Sequence, residues 1–337
     1  MKKEFDFNKE FESIMVRNKL ETVVLLGHIN PDGDAAGCVM GLAHYIKVNY
    51  PQYEVIPYLA DTIDKGPGKM IKQDQIFDPF KRPDVEGKRY ASIICDNAVI
   101  SRMIGREYYE EAIATIVIDH HASNEGYGDI NYTKISEACA ENVFYILDEK
   151  SLQKATAIES YPTAADYIYL GIIQDTNGFE RAKESTLYAA MKLQEMGVKH
   201  SVVMKTMHND TLKSLQKKSF LLNKTSCVFD GKVAYVCVSK EESIEKEISY
   251  EDIHPIAEIL RDCEDIELSF TMYEEEKGIW RCSFRSDGEW INVNELLAPF
   301  GGGGHAAAAG LRKKTNDVKE LREAIVKNIE IQRKKNA

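Results

Sequence analysis

Aspartate and histidine residues in the first half of the chain occur at spacings that suit a metal centre. Six of them are candidate ligands: His28, Asp32, Asp34, Asp96, His120 and Asp175. Four carboxylates with two imidazoles favour Mn²⁺ or a similar divalent ion over metals that prefer thiolates. Six ligands exceed what one catalytic ion with open positions requires, and they fit two ions about 3.5–4 Å apart that share a carboxylate and a water. Such a pair lowers the pKa of the water and holds a phosphoryl oxygen.

The surrounding elements predict that these residues meet at one edge of a sheet. Apolar, β-branched runs indicate strands at 22–26, 54–59, 92–95 and 115–118. Helical patterns occur at about 35–50, 137–149, 163–173 and 186–196. This alternation predicts an α/β fold with a parallel sheet and helices on both faces. Three of the strands run directly into candidate residues, and the functional crevice of such a sheet lies at the carboxyl ends of its strands.

Taken singly, several candidates have a structural alternative. Asp34 is well placed as the N-cap of the helix over 35–50, which Pro51 closes. His120 and His121 could be core histidines that follow a strand. These alternatives do not explain why the candidates end strands in the same half of the chain, so the metal centre is favoured.

The second half of the chain predicts a smaller α+β domain with mainly antiparallel strands. Its pattern indicates a hairpin at 227–236, strands at 266–273 and 279–285, and helices at 253–261 and 317–332. Residues 191–220 are helical and polar and suit a connector. We therefore predict a metal-binding catalytic domain at 1–190, a helical linker at 191–220 and a substrate-binding domain at 221–337.

A glycine run near the end of the second domain is a candidate phosphate-binding segment. It comprises Gly301, Gly302, Gly303 and Gly304, followed by His305. Residues without a Cβ let backbone N–H groups approach a phosphate closely, and the histidine adds a donor. Arg285 can hold a phosphate through a fork of two N–H bonds. The alternative is a flexible linker, but a linker seldom lies between an amphipathic helix and an alanine-rich apolar run.

Composition excludes several classes of protein. The 337 residues include 43 Lys and Arg and 54 Asp and Glu, and the net charge of −11 argues against a diffuse basic surface for long nucleic acid. No apolar run approaches the ~20 residues that span a bilayer. The charged N-terminus lacks the apolar stretch of a signal peptide. Seven scattered cysteines without a CxxC pair argue against a disulfide framework or a thiolate zinc site, so we expect a cytoplasmic protein.

Five segments together resemble the DHH phosphoesterase superfamily. They are GHINPDGDAAG, ICDNA, VIDHHAS, GIIQDTNGF and GGGGHAAAAG, in the family's order and at roughly its spacing. The resemblance covers about residues 15 to 315 and is closest to the two-domain branch of nano-RNase, pAp-phosphatase and cyclic-di-AMP or pApA phosphodiesterase proteins. It implies an active site in a cleft between the domains, with the DHH-associated domain binding the substrate's nucleotide and terminal phosphate.

The resemblance also implies individual roles. One metal would take His28, Asp32 and Asp96, and the other would take Asp34, Asp96, His120 and Asp175, with Asp96 bridging. His121 would face the scissile phosphate, and Asp119 would orient the imidazoles. The role of Asp175 comes mainly from the resemblance, since spacing alone shows an acid at the end of an apolar helix.

Three further positions relate to the family pattern. Cys38 stands where the family usually has serine, and we expect a small buried residue there. Asn177 replaces a common glycine after Asp-Thr, which could alter the loop near the second metal but leaves the ligand intact. Arg102, six residues after Asp96, matches a common family arginine, and a solvent-exposed helix charge is its alternative.

The activity implied is that of an Mn²⁺-dependent phosphodiesterase that cuts short oligonucleotides or linear or cyclic dinucleotides to mononucleotides. No motif ranks pApA, pGpG, nano-RNA, cyclic-di-AMP and pAp as substrates. A 3′-phosphatase acting on pAp is the alternative enzyme. Two other activities of the superfamily are disfavoured: an exonuclease of RecJ type usually requires further domains, and a pyrophosphatase has a different second domain without GGGGH. A catalytically silent nucleotide-binding sensor is the alternative of another class, and the complete ligand set weighs against it. We expect no membrane partner, and pairing into a homodimer is an open prediction.

Overall fold

Two units with separate sheets make up the chain. The computed structural model describes residues 5–59, 63, 65–207, 210–288 and 290–336. The chain divides into the units Met1–Asn209 and Asp210–Ala337, and this division falls within the stretch that we predict as a connector. No helix among the described residues combines the length and the apolar composition that a membrane span needs.

The first unit is built on a parallel sheet. In the part of the chain that is described, its strands are β1 (Thr22–Leu26), β2 (Glu54–Tyr58), β3 (Tyr90–Cys95), β4 (Ala114–Asp119) and β5 (Ile130–Thr133). Their order is β2-β1-β3-β4-β5, and each neighbouring pair is parallel. Every residue of β1, β3 and β4 is buried, as expected for strands covered on both faces.

Helices cover both faces of this sheet. They are α1 (Phe7–Arg17), α2 (Gly33–Asn49), α3 (Lys65–Ile71), α4 (Arg106–Glu110), α5 (Cys139–Ile146), α6 (Glu149–Thr156), α7 (Ala164–Asp175), α8 (Glu184–Glu195) and α9 (His200–Val203). Alternate residues of β1 enter different hydrophobic clusters: Val23 and Leu25 pack with α2 and α7, whereas Val24 and Leu26 pack with Tyr108 of α4. The predicted α/β fold is therefore confirmed.

The second unit contains a mixed sheet. Its described strands are β6 (Ser226–Val228), β7 (Val233–Val238), β8 (Leu268–Glu276), β9 (Ile279–Ser286), β10 (Gly303–Gly304) and β11 (Ala308–Lys314). Their order is β10-β11-β9-β8-β7-β6, with β7 and β8 parallel and the other neighbouring pairs antiparallel. The helices are α10 (Leu212–Asn223), α11 (Lys240–Glu245), α12 (Tyr250–Ile253), α13 (Ile256–Arg261), α14 (Val293–Leu297) and α15 (Val318–Asn336). This smaller α+β unit agrees with the prediction.

The structure corrects several local predictions. The N-cap of α2 is Asp32, whose side chain accepts hydrogen bonds from the amides of Asp34 and Ala35, so the prediction that Asp34 caps this helix is wrong. The predicted helix over 137–149 is divided into α5 and α6, because Leu147 between them adopts an extended backbone. Pro255 likewise separates α12 from α13, where one helix was predicted.

Candidate metal centre

The carboxyl ends of the central strands border a cavity of about 250 Å³ in the first unit. The residues that line it are His28, Asp32, Asp96, Asn97, Ala98, Arg102, His120, His121 and Asp175. His28 follows β1, Asp96 follows β3, and His120 and His121 follow β4, while Asp175 ends α7. The structure therefore brings together the strand-end residues that the sequence singled out.

A first group of metal-ligand atoms consists of His28, Asp32 and Asp96. The Nε2 atom of His28 lies 3.7 Å from Oδ2 of Asp32 and 3.5 Å from Oδ2 of Asp96. Their candidate ligand atoms all lie within 4.8 Å of one another. This set is the same as the one that the family resemblance implies for one metal ion.

A second group of metal-ligand atoms consists of Asp34, His120 and Asp175. The Nε2 atom of His120 lies 3.6 Å from Oδ2 of Asp175 and 3.4 Å from Oδ1 of Asp96. Asp96 thus directs one carboxylate oxygen at each group, as a bridging ligand would. Burial, together with the charges of Asp96 and Asp32, raises the pKa of Asp175 to about 6.

Asp34 is completely buried at the start of α5. Its carboxylate accepts hydrogen bonds from the amides of Cys139 (2.5 Å) and Ala140 (2.8 Å), the first residues of that helix. Burial and the charges of Asp96 and Asp175 raise the pKa of Asp34 well above its usual value. A buried carboxylate held close to other carboxylates is suited to a divalent ion. Cys38 is buried beside it, as expected, with its Sγ 3.7 Å from Oδ1 of Asp34.

Asp96 occupies a strained position at the centre of the two groups. Its φ of 50° is in the left-handed region, which residues other than glycine seldom adopt. Its Oδ1 atom is buried and accepts no hydrogen bond from the described residues, although imidazole nitrogens of His120 and His121 lie 3.4 and 3.6 Å away. An unsatisfied buried carboxylate oxygen is costly, and a metal ion would satisfy it. The donor set and this oxygen fit a pair of divalent ions.

The two candidate histidine ligands are oriented through their other ring nitrogen. Nδ1 of His28 donates to the carbonyl of Ile29 (2.9 Å), and Nδ1 of His120 donates to the carbonyl of Ser136 (3.1 Å). Each Nε2 atom is thereby directed at the carboxylates, as is usual for metal-binding histidines. Burial opposes protonation of both rings, but the nearby carboxylates of Asp32 and Asp96 for His28, and of Asp96 and Asp34 for His120, outweigh it and raise the pKa of each to about 10.

His121 is oriented differently from the two candidate ligands. Its Nδ1 atom lies 2.7 Å from Oδ1 of Asp119, and this hydrogen bond raises the pKa of His121. The other oxygen of Asp119 accepts a hydrogen bond from Nδ2 of Asn124 (2.7 Å). The side chain of His121 is 42% exposed, so its Nε2 atom can reach a bound ligand.

Sequence reasoning assigned no role to Asn97 or Asn124. Asn97 lines the cavity, and its side-chain amide donates to the hydroxyl of Tyr127 (2.9 Å). The backbone carbonyl of Asn97 accepts hydrogen bonds from that hydroxyl and from the side chain of Asn124. These contacts fix the loop that follows β4. The position of Asn97 directly after Asp96 within the ICDNA segment was available as a signal, whereas the contact of Asn124 with Asp119 requires the folded loop.

The predicted substrate residue Arg285 belongs to the second unit. It lies on β9, half-buried, and its Nη2 atom is 3.5 Å from Nε2 of His254. His254 is held in turn, because its Nδ1 atom lies 2.9 Å from Oγ of Ser283 and 3.0 Å from the hydroxyl of Tyr250. Burial and the charges of Arg285 and Arg281 lower the pKa of His254. A neutral imidazole beside the guanidinium can accept a hydrogen bond from it.

The glycine run ends in the edge strand β10 (Gly303–Gly304), and close contacts with β11 exclude a side chain at two of its positions. A Cβ atom on Gly304 would lie 2.5 Å from the carbonyl oxygen of Ala308, and one on Gly302 would lie 2.7 Å from that of Gly310. The amides of Gly301, Gly302, Gly304 and His305 donate to acceptors within the unit. These four amides are therefore already hydrogen-bonded within the unit, and phosphate binding by the glycine run and His305 stays a prediction. At Gly302 and Gly304 the close approach of β11, rather than a ligand, excludes a side chain.

Known families match both units of the chain. The family described as DHH family, N-terminal domain, matches residues 22–172, and the DHHA1 domain matches residues 230–330. The chain belongs to the two-domain branch of the DHH phosphoesterase superfamily. The DHH match ends before Asp175, while the DHHA1 match includes Arg285 and the glycine run.

Similar proteins extend over nearly the whole chain. The bifunctional oligoribonuclease and PAP phosphatase NrnA of Mycoplasma pneumoniae is 27% identical over 320 residues, which are 93% of this chain and 94% of that protein. The protein of the same name from Bacillus subtilis is 25% identical and matches 89% of this chain and 91% of its own length. An exopolyphosphatase-related protein from Bacteroides fragilis, 20% identical, superposes with a TM-score of 0.77 and covers 97% of this chain and 96% of its own, so the two share a fold.

Proposed function

We propose that this protein hydrolyses phosphodiester bonds in short oligonucleotides or dinucleotides and releases mononucleotides, with two Mn²⁺ ions held by the DHH unit. The observation that carries the proposal is the pair of ligand groups on either side of Asp96, next to an oriented His121. Such ions lower the pKa of a water and offset negative charge on phosphoryl oxygens. His28, Asp32 and Asp96 would hold one ion, and Asp34, Asp96, His120 and Asp175 the other.

His121 is suited to act as the general acid. Asp119 holds Nδ1, so Nε2 is the nitrogen that faces a ligand, and the raised pKa of His121 favours the protonated ring. An imidazolium there stabilises charge on the phosphate and gives its proton to the leaving ribose oxygen. Asp119 orients the ring through its hydrogen bond with Nδ1.

The DHHA1 unit is proposed to bind the terminal nucleotide and so to favour short substrates. Arg285 is the main candidate for the phosphate contact, because its guanidinium lies beside His254, which Ser283 holds in turn. His305 and Gly303 stay as further candidates from the glycine run. Cytoplasmic location and assembly as a homodimer also stay predictions, and light scattering after size exclusion tests the second.

A 3′-phosphatase activity on pAp is the second candidate function. The NrnA proteins of Mycoplasma pneumoniae and Bacillus subtilis are named for both oligoribonuclease and PAP phosphatase activity. The same ligand groups and acid can act on a phosphomonoester, since the attacked atom is phosphorus in both reactions. Relative rates on pApA and pAp decide which activity dominates.

Product analysis tests the proposal. Purified protein is incubated with Mn²⁺ and pApA, pGpG, a five-nucleotide RNA, cyclic-di-AMP or pAp, and the products are separated by ion exchange. We expect mononucleotides from the wild type and from Asp84→Ala, an exposed aspartate outside the cavity, and none from Asp96→Ala. Absence of turnover by the wild type on all five substrates would refute the proposed function, and absence of bound divalent ion as well would favour the sensor.

A further inference from the structure

We propose that Arg102 binds the phosphate group under attack through its guanidinium, as a substrate-binding residue of the metal centre. The inference rests on the proposed function, and it names a contact that the six candidate ligands do not supply. Three observations carry it: the placement of the residue in the cavity, the anchoring of its backbone, and the lack of an ionic partner for its charge.

The cavity places Arg102 among the metal-binding groups. It is the one arginine or lysine among the described lining residues, which also include the carboxylates of Asp32, Asp96 and Asp175. Once cations neutralise these carboxylates, a guanidinium beside them presents positive charge to whatever enters the cavity. An incoming phosphate diester or monoester is an anion, so its charge is opposite to that of the guanidinium.

The backbone of Arg102 is fixed to the loop that carries His28. The carbonyl of Arg102 accepts a hydrogen bond from the amide of Ile29 (2.7 Å), and the amide of Ile104 donates to the carbonyl of Gly27 (3.0 Å). His28 and Met103 form an antiparallel bridge between these two bonds. Arg102 ends a short helical turn (Ile100–Arg102) and is exposed, as its alternative requires, but its backbone holds a fixed register with the first ligand group.

The guanidinium of Arg102 makes no hydrogen bond or ion pair with any residue in the described ranges. Other arginines of the same unit do: Arg106 pairs with Glu110 at 2.6 Å, and Arg82 pairs with Glu107 at 2.8 Å. Arg102 leaves its donors unused even though three carboxylates line the same cavity. A guanidinium fork matches two oxygens of a phosphate, so a phosphate ligand would use donors that the protein itself does not.

The test combines rate, affinity and chemical rescue. Arg102→Ala and Arg102→Lys are compared with the wild type and with Arg106→Ala, a control four residues along the chain whose exposed arginine pairs with Glu110 outside the cavity. Turnover of pApA, binding of AMP by calorimetry in Mn²⁺, and bound metal by elemental analysis are measured for each. AMP is used because it carries the phosphate and is the expected product.

We expect Arg102→Ala to lose about 100-fold in kcat/KM, the typical cost of removing one donor to a transition-state oxygen. Its affinity for AMP should fall at least about tenfold, its metal content should be unchanged, and added guanidinium should restore part of the rate. Arg102→Lys should be intermediate, because it keeps the charge but not the fork. Arg106→Ala should stay within about twofold of the wild type, as surface pairs contribute little.

Other results would overturn the inference. An Arg102→Ala variant within twofold of the wild type in rate and AMP affinity would show that the arginine is a surface charge. Loss of activity together with loss of bound metal would show that it supports the His28 loop instead. If the wild type cleaves none of the substrates, the proposed function fails, but AMP binding by the wild type and by Arg102→Ala still decides the role of this residue.

Discussion

Metal binding at this centre should release protons in a number that the structure fixes. In the metal-free protein the carboxylates of Asp32 and Asp96 keep His28 and His120 protonated, and the pKa of each is about 10. A metal ion binds only the neutral imidazole, so each ring must lose its proton on binding. At pH 7.5 both rings are almost fully protonated, and about two protons per chain should leave when Mn²⁺ binds.

The cost of this displacement sets the pH dependence of binding. A group with a pKa of about 10 is roughly 2.5 units above pH 7.5, so removing its proton costs roughly 3 kcal/mol for each ring. The logarithm of the overall binding constant for the two ions should therefore rise by about 2 per pH unit below pH 10. Acid weakens binding because the raised pKa values favour the protonated rings. Asp34, whose pKa is also raised, makes two a lower bound.

Calorimetry in buffers of different ionisation enthalpy counts these protons directly. The variant His28→Gln should release about one proton, whereas His200→Gln should release the same number as the wild type. His200 is a suitable control because it is exposed and contacts Tyr169 outside the cavity. A release well below one proton by the wild type, or equal counts for the wild type and His28→Gln, would contradict the orientation of the imidazoles.

Three further substitutions test other parts of the structure. In Gly171→Ala the new Cβ would lie 2.5 Å from Cβ of Ala140 and 2.7 Å from Oδ1 of Asp34. The free energy of unfolding should therefore fall by about 1–3 kcal/mol, and Mn²⁺ affinity should fall as well. Urea unfolding and Mn²⁺ titrations that match the wild type would contradict this. Asn124→Ala removes the hydrogen bond that orients Asp119, so kcat for pApA should fall about 10- to 100-fold with KM nearly constant. A rise in KM alone would indicate instead that Asn124 contacts the substrate. Ser283→Ala removes the hydrogen bond that holds His254 beside Arg285, so KM for pApA should rise about 2- to 10-fold while kcat stays constant. An unchanged KM would contradict a role of Arg285 in substrate binding.

Strands with continuous apolar runs were predictable from the sequence, and so was the convergence of the residues that follow them. β1, β3 and β4 are fully buried and consist mostly of apolar or small residues, with the carboxylate of Asp119 as the exception at the end of β4, and a parallel sheet places their carboxyl ends together. β5 was not predicted because it has four residues and alternates between half-buried and exposed positions. An edge strand of that kind has no distinct apolar pattern.

Local capping and the glycine run show where sequence reasoning fails. Asp32 and Asp34 are both suitable caps by type, and only the backbone conformation shows that Asp32 caps α2 while Asp34 faces the start of α5. The glycine run suggested free amides, but its neighbours in space come from β11, whose approach depends on strand pairing. A contact 105 residues along the chain decides the case of Asp34, and the pairing of the adjacent strands β10 and β11 decides that of the glycine run.

The spin state of bound manganese tests the central claim most directly. Electron paramagnetic resonance of the protein titrated with Mn²⁺ should show a coupled dinuclear signal at two ions per chain, because both ligand groups converge on Asp96. The variant Asp96→Asn should lose this coupling. An isolated six-line Mn²⁺ signal at saturation in the wild type, or a coupled signal that persists in Asp96→Asn, would contradict a two-metal centre bridged by Asp96.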